Sequence, residues 1–222
     1  MRIALLGGTG DIGEGLAVRW ARDTDHTVHI GSRDPEKAAD RAADYREELT
    51  DRGFEVDVTG SGNETAAAEA DVIVVSVPPQ YAADTVETVV DGLSEEDIVV
   101  SPAVAMDRDG AGFHYDRPDQ GSVAEEIAAA TPDGIPVVGA FQNLAAGALT
   151  DLDNDLDYDV VVTGDDEDAR QEIKTLAEEI EGIRALVGGP LAVSGEIEAI
   201  TPLLINLAMN NDGMHDLGVK FQ

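Results

Sequence analysis

Gly8, Gly10 and Gly13 stand in a G-x-G-x-x-G spacing directly behind the apolar run Ile3-Ala4-Leu5-Leu6. Each glycine has a mechanical task in a loop that approaches a pyrophosphate. The first makes a tight turn, the second admits phosphate oxygens to the main chain, and the third lets the following helix close on the strand. The helix that begins at this loop offers free N–H groups and a positive dipole end to the same phosphates. Thr9, Asp11 and Ile12 complete the loop. A second strand then ends Gly31-Ser32-Arg33, at the position where a site for a ribose 2′-hydroxyl places Asp or Glu. A serine hydroxyl, a guanidinium and Lys37, in the first turn of the next helix, suit a 2′-phosphate instead. The expected dinucleotide is NADP rather than NAD.

Other chemistries lack their residues. The chain has no cysteine, which excludes disulfides, thiolate metal sites and a cysteine nucleophile. H-E-x-x-H, G-x-S-x-G and Walker A patterns are absent. His26, His29, His114 and His215 show no metal-ligand spacing, and neither Tyr81 nor Tyr115 has a lysine nearby in sequence. No catalytic acid, base or metal centre is expected. Such poverty in proton-transfer groups suits hydride exchange between two bound cofactors, whose rings carry the chemistry while protein supplies orientation.

The elements that position these residues alternate. Strands are expected at Arg2–Leu6, Thr27–Ile30, Phe54–Thr59, Asp71–Pro78, Asp97–Ser101 and Pro136–Phe141, with helices between them. Asp34-Pro35 is a helix start, a carboxylate cap followed by proline at the first helical position. This order predicts an α/β fold of Rossmann type, a doubly wound and mainly parallel sheet, with its ligand loops at the carboxyl ends of the strands. Ser76-Val77-Pro78-Pro79-Gln80, Ser101-Pro102-Ala103-Val104 and Phe141-Gln142-Asn143-Leu144 are then the loops that line the crevice. Residues 106–121, rich in Gly and Asp, read as a lid-like loop. Beyond Thr150 come an acidic linker-like segment, a strand at Val160–Thr163 and a helix at Asp165–Ile180. The consecutive acids that open this helix suit its dipole rather than catalysis. Last comes a helix at Ser194–Asn211 kinked at Pro202, with Ile197, Ile200, Leu203, Leu204 and Leu207 on one face. Residues 1–150 form the expected cofactor domain, and residues 151–222 a small C-terminal α/β extension.

Charge narrows the partners. The chain has 222 residues, with 46 acids against 14 Arg and Lys and a formal net charge of −32. That field repels nucleic acid and anionic membranes. No apolar run is expected to reach the ~18 residues of a membrane span, and no leader precedes the first strand, so a cytoplasmic location is expected. Acids spread over every helix, with only Lys37, Lys174 and Lys220 as lysines, point to a cytoplasm of high salt, where the Debye length shrinks to about 3 Å at 1 M. Structure is then expected to be lost in dilute buffer and regained in molar salt. Circular dichroism unchanged on dialysis would refute this.

Over nearly its whole length the chain resembles the deazaflavin-dependent NADP oxidoreductases, which pass hydride between NADPH and coenzyme F420. The resemblance rests on residues 2–10, on Gly31-Ser32-Arg33, on Val99-Val100-Ser101-Pro102 and on the ending Thr201-Pro202-Leu203-Leu204-Ile205-Asn206 with Gly213-Met214 and residues 217–221. It implies that Thr9 to Ile12 hold the pyrophosphate, and that Ser32, Arg33 and Lys37 hold the 2′-phosphate. It further implies that Val77, Val104 and Ala146 line the NADP channel, and that Gln142, Asn143 and Leu144 face the deazaflavin. The two rings would stack within about 3–3.5 Å for direct transfer. Some members carry histidine where this chain has Gln142. An amide can hydrogen-bond the deazaflavin, yet it cannot titrate. The resemblance also implies a homodimer, with the apolar C-terminal helix as its interface. Two other readings are an NADPH-dependent reductase of a metal ion, imine or small keto substrate, and a non-catalytic NADP sensor.

Overall fold

Runs of β-branched residues become the inner strands of one large sheet, because only strands covered on both faces can be apolar at every position. The computed structural model describes Met1–Gln222. Its central strands are β1 (Arg2–Leu6), β2 (Thr27–Ser32), β3 (Val58–Gly62), β4 (Val72–Val75), β5 (Ile98–Ser101) and, after a hairpin of β6 (Met106–Asp109) and β7 (Gly112–Tyr115), β8 (Val137–Gly139). Then follow β9 (Tyr158–Gly164) and β10 (Ile183–Gly189). The eight-stranded order is β10-β9-β8-β5-β4-β1-β2-β3. From β3 to β8 all neighbours are parallel; β9 joins β8 antiparallel, and β10 runs parallel to β9. The order reverses between β1 and β4, which opens a crevice at their carboxyl ends.

Helices cover both faces. α1 (Asp11–Asp23), α2 (Pro35–Asp51), the short α6 (Ala146–Thr150) and α7 (Glu167–Glu178) enclose the largest apolar cluster, which runs from Ile3 to Ala185 and so joins both ends of the chain. α3 (Asn63–Ala68), α4 (Ala82–Glu87) and α5 (Val123–Ala130) cover the other face in two smaller clusters. Trp20 links the layers: its indole N–H donates to Leu176 O at 3.0 Å, and its ring meets Phe141 edge-on at 5.4 Å. Arg19, wholly covered, donates to the carbonyls of Ala148, Leu149, Asp151 and Asn154 at 2.7–3.1 Å. One buried guanidinium thus satisfies the carboxyl end of α6 and ties down the acidic segment behind it.

Several expectations are corrected. The third strand lies at Val58–Gly62, because Gly53 (φ +92°) ends α2 and pairing with β2 begins only at Val28↔Val58. Residues 106–115 are the β6–β7 hairpin rather than a loop. A strand, β10, and a helix, α6, lie where neither was expected. The C-terminal helix is two, α8 (Ser194–Glu198) and α9 (Ile200–Asn210). Pro202 has no N–H to give the carbonyl of Glu198, and the break falls at Ala199 between them. Residues Leu191–Asn210 also contain an 18-residue stretch of mean hydropathy 1.4, apolar enough to span a bilayer by composition. It is folded as a 3-10 turn and two separate helices.

Candidate cofactor crevice

The phosphate loop is built by close approach. Gly8 N donates to Leu5 O and Gly10 N to Gly7 O, each at 2.9 Å, with Gly7 at φ +83°. A Cβ on Gly13 would lie 2.6 Å from Gly8 Cα and 2.8 Å from Ser76 Oγ, so only glycine lets α1 settle on the loop and on the end of β4. Gly10 caps α1 with no side-chain hydrogen bond, which leaves the first-turn N–H groups to a ligand. Tyr45 was not foreseen as part of this loop. Its hydroxyl, on the buried face of α2, donates to Gly8 O at 3.0 Å, and burial followed by the nearby Glu14 raises its pKa, so it stays a donor.

At the end of β2, Ser32 Oγ accepts from Asp34 N at 3.1 Å, and Asp34 in turn caps α2 through Glu36 N and Lys37 N. Gly31 leaves room for Asn63, whose Oδ1 a Cβ there would meet at 2.9 Å. The cations are distributed unequally. Of the 14 Arg and Lys residues, eight pair with carboxylates. Arg19, Arg46 and Arg170 donate to main-chain carbonyls instead. Arg33, Lys37 and Arg108 have no acceptor. The Arg33 guanidinium lies over the ring of Tyr81, 5.6 Å from its centroid.

A cavity of 540 Å³ runs from Gly10, Asp11 and Ile12 past Val77 and Val104 to Gln142 and Leu144, with Met106 and Thr201 closing it. Met106 opens the segment read from the sequence as a lid-like loop, whereas nothing but a hydroxyl in the first turn of α9 marks Thr201. A second, mostly apolar cavity of 450 Å³ adjoins the first through Leu144 and Thr201 and is lined by Asn143, Ala146, Leu204 and Met214 among others. Gly8 and Gly13 lie buried beneath the loop, with Thr9 half-buried above them. Ser32, Arg33 and Lys37 stand outside the main cavity at the end of β2, and Ala146 belongs to the adjoining one.

Phe141 adopts φ +70°, a left-handed conformation costly for a bulky residue, and so turns the chain after β8 inward. Gln142 is then 3% exposed, and neither Nε2 nor Oε1 has a hydrogen-bond partner. Its carbonyl accepts from Thr201 Oγ1 at 2.7 Å. A Cβ on Gly139 would lie 2.6–2.9 Å from Ser194 Oγ, Thr163 Oγ1 and Gln142 Nε2, so glycine admits that polar cluster. Asn143 Nδ2 donates to Asp159 O at 2.8 Å while its Oδ1 is unpartnered. The remaining unpartnered buried side-chain atoms are Ser101 Oγ and Asn63 Oδ1. All of these residues stand at or just beyond the carboxyl end of β3, β5 or β8. An unsatisfied buried polar atom costs about 1–3 kcal/mol. Their concentration along one sheet edge is what a ligand-binding edge requires. No group of three or more His, Cys, Asp or Glu side chains is arranged to hold a metal.

The crevice's outer wall is held by long-range polar contacts. Glu198 is wholly covered and accepts from Val123 N, Ala124 N and Tyr115 Oη at 2.9–3.2 Å. Burial pushes its pKa up to about 7 against the pull of those hydrogen bonds. The Asn206 side chain pairs with both main-chain groups of Phe113, at 2.7 and 2.8 Å, and so fastens the hairpin to α9. Asp159 is lowered to about 2, first by hydrogen bonds from Arg184 and next by Phe221 N. With Tyr158 Oη donating to Asp216 O at 2.7 Å, it straps the C-terminal tail along β9.

Comparison with known proteins agrees with this geometry. A family model described as coenzyme F420-dependent NADP oxidoreductase matches residues 2–105. The F420-dependent NADP reductase of Methanocaldococcus jannaschii is 43% identical over 210 residues, covering 93% of this chain and 92% of that protein. The enzyme of the same name from Methanothermobacter thermautotrophicus is 39% identical over 214 residues, covering 95% and 90%. Among solved structures, a candidate F420-dependent NADP-reductase from Arthrobacter sp. FB24 has a TM-score of 0.81 at 24% identity, covering 100% of this chain and 99% of that one, and shares the fold.

Proposed function

The chain belongs to the coenzyme F420-dependent NADP oxidoreductases, and on that premise we propose how its own residues serve hydride transfer between NADP(H) and coenzyme F420. The two cofactors supply the redox chemistry when bound, passing hydride between a nicotinamide and a deazaflavin ring. The protein's part is to bind, orient and exclude water. The loop Gly8–Gly13 and the open N-terminus of α1 receive the pyrophosphate. Ser32, Arg33 and Lys37 receive the 2′-phosphate that distinguishes NADP from NAD. Val77 and Val104 form apolar walls, with Ala146 behind Leu144 in the adjoining cavity. Gln142 offers the deazaflavin one donor and one acceptor, with Asn143 and Leu144 beside it, and no side chain serves as a catalytic acid or base.

The observation that carries this reading is the row of unpartnered buried amides and hydroxyl at the carboxyl edge of the sheet, with Arg33 and Lys37 left without acceptors beyond the end of β2. Addition of NADPH to the protein with authentic coenzyme F420 in molar salt is expected to bleach the deazaflavin absorbance. No bleach would overturn the reading.

The same proposal assigns residues 1–150 to NADP and residues 151–222 to the deazaflavin wall and a homodimer interface. The exposed apolar face of α9, with Leu203 at 56%, Leu207 at 41% and Met209 at 54%, supports that interface. The net charge of −32 supports a halophilic cytoplasm as its setting.

A further inference from the structure

We propose that Arg108, on the β6–β7 hairpin, is the anion site for the charged tail of the deazaflavin coenzyme. This rests on the F420 reading above. Coenzyme F420 carries a phosphodiester and glutamate carboxylates beyond its ring, and a chain of net charge −32 repels them. Any local counter-charge must come from a cation not already committed. Only Arg33, Lys37 and Arg108 are free of hydrogen bonds and ion pairs, and the first two belong to the end of β2. Arg108 is the one left over.

Its placement fits. Side chains two apart on a strand share a face and stand about 6.6 Å apart along it. Met106 lines the main cavity, and Arg108, two residues on and exposed, shares its face of β6 just beyond the lining. Directly across the hairpin are Tyr115, opposite Met106, and Phe113, opposite Arg108. The guanidinium lies 5.1 Å over the Phe113 ring, as Arg33 lies over Tyr81. In both cases an aromatic face, and not a carboxylate, presents the cation, which leaves its hydrogen-bonding edge to an external anion. Phe113 is itself fixed, since its N–H and carbonyl are both bonded to Asn206. The neighbouring acids Asp107 and Asp109 alternate with Arg108 along the strand; Asp109 is engaged by His114 at 3.1 Å and by Ala111 N, and Asp107 lines a separate cavity with Asp116 and Glu126 on the other side of Met106.

The test compares full coenzyme F420 with a tailless deazaflavin, both by equilibrium binding titration and as hydride acceptors from NADPH, in wild type, Arg108→Gln and Arg108→Lys. Wild type is expected to prefer the full coenzyme by about tenfold in kcat/KM, expressed in KM, from one charge-assisted contact. Arg108→Gln erases that preference, and Arg108→Lys keeps part of it. An equal preference in wild type and Arg108→Gln, or none in wild type, overturns the proposal while leaving the F420 reading intact. Turnover of neither acceptor by wild type overturns both.

Discussion

Residues 1–105 and residues 106–222 meet across one crevice but are built in opposite ways. In the first region most of the residues proposed to hold phosphate are neighbours in sequence, with Tyr45 as a distant support. Gly8 to Gly13, Gly31 to Arg33 and Asp34-Pro35 each form a site or a cap within a single turn. In the second region each functional position is held by a partner far away. Glu198 reaches Val123 and Tyr115, Asn206 reaches Phe113, Asn143 reaches Asp159, and Asp159 reaches Phe221. The proposed dinucleotide side is a local motif set on a sheet, whereas the proposed acceptor side is an assembly whose precision depends on the whole chain having folded.

Glu198→Ala breaks this contrast most severely. It leaves two amides at the start of α5 without their acceptor and the Tyr115 hydroxyl with only the longer contact to Gly121 O, and it empties a covered site. A loss of about 3–4 kcal/mol of unfolding free energy is expected from such a change. Glu198→Gln keeps the shape and tests the charge. The folded-state pKa of about 7 lies above the ordinary carboxylate value, so the folded protein binds the extra proton more tightly than the unfolded chain. Stability therefore falls as pH rises from about 4.5 to 7, by up to about 3 kcal/mol, and levels off above that range. Glu125 adds to the raised pKa, and Tyr115 lies within hydrogen-bonding reach. Denaturation at a series of pH values reads the slope, which Glu198→Gln should flatten; an unaltered slope would show that Glu198 is not its source. Asp159 acts in the opposite sense, since its lowered pKa gives stability that is lost only as pH drops below about 4.

The same contrast explains what could be read from the sequence. The order of alternating strands and helices and the glycine loop ahead of α1 are encoded by spacing alone, although β3 begins four residues later than spacing puts it. The hairpin was hidden because Asp and Gly mask its alternation; it exists through Asn206 and a positive-φ Gly112 in contact with it. β10 was hidden because its strand character comes from pairing with β9. Its start depends on Gly182 (φ +84°), where a Cβ would lie 1.9 Å from Leu156 O. Tyr45 beneath Gly8 and Arg19 beneath α6 look like ordinary helix residues until the partner carbonyl is known. The inward turn of Gln142 depends on a strained Phe141 that no propensity predicts.

Arg33→Ala tests whether the first region is as local as it looks. Loss of a guanidinium–phosphate contact is worth about 2 kcal/mol, so NADP affinity should fall by about tenfold to hundredfold while NAD affinity barely moves. The mid-point of thermal unfolding should stay within a degree or two of wild type, because Arg33 is exposed and its one contact in the protein is the face of the exposed Tyr81 ring. Calorimetric titration with both dinucleotides measures this. Equal losses for NADP and NAD would show that Arg33 supports the loop generally and does not read the 2′-phosphate.

Gln142→Met is the smallest change and the one that separates folding from function in the second region. Methionine nearly matches glutamine in volume but carries no polar atoms that need partners. Removing two unsatisfied buried atoms should leave stability unchanged or raise it by about 1 kcal/mol. The same substitution removes the donor and acceptor proposed to meet the deazaflavin. Hydride transfer to coenzyme F420 should therefore slow by about tenfold, the worth of one hydrogen bond. NADPH affinity should hold, since the loop, Arg33 and Lys37 are untouched. A variant both more stable and slower would identify the strained turn at Phe141 as stability given up for a ready hydrogen-bonding edge. A variant less stable at full speed would mean that the amide serves the cluster of Gly139, Thr163 and Ser194, and that the second region's assembly, not its ligand, is what Gln142 supports.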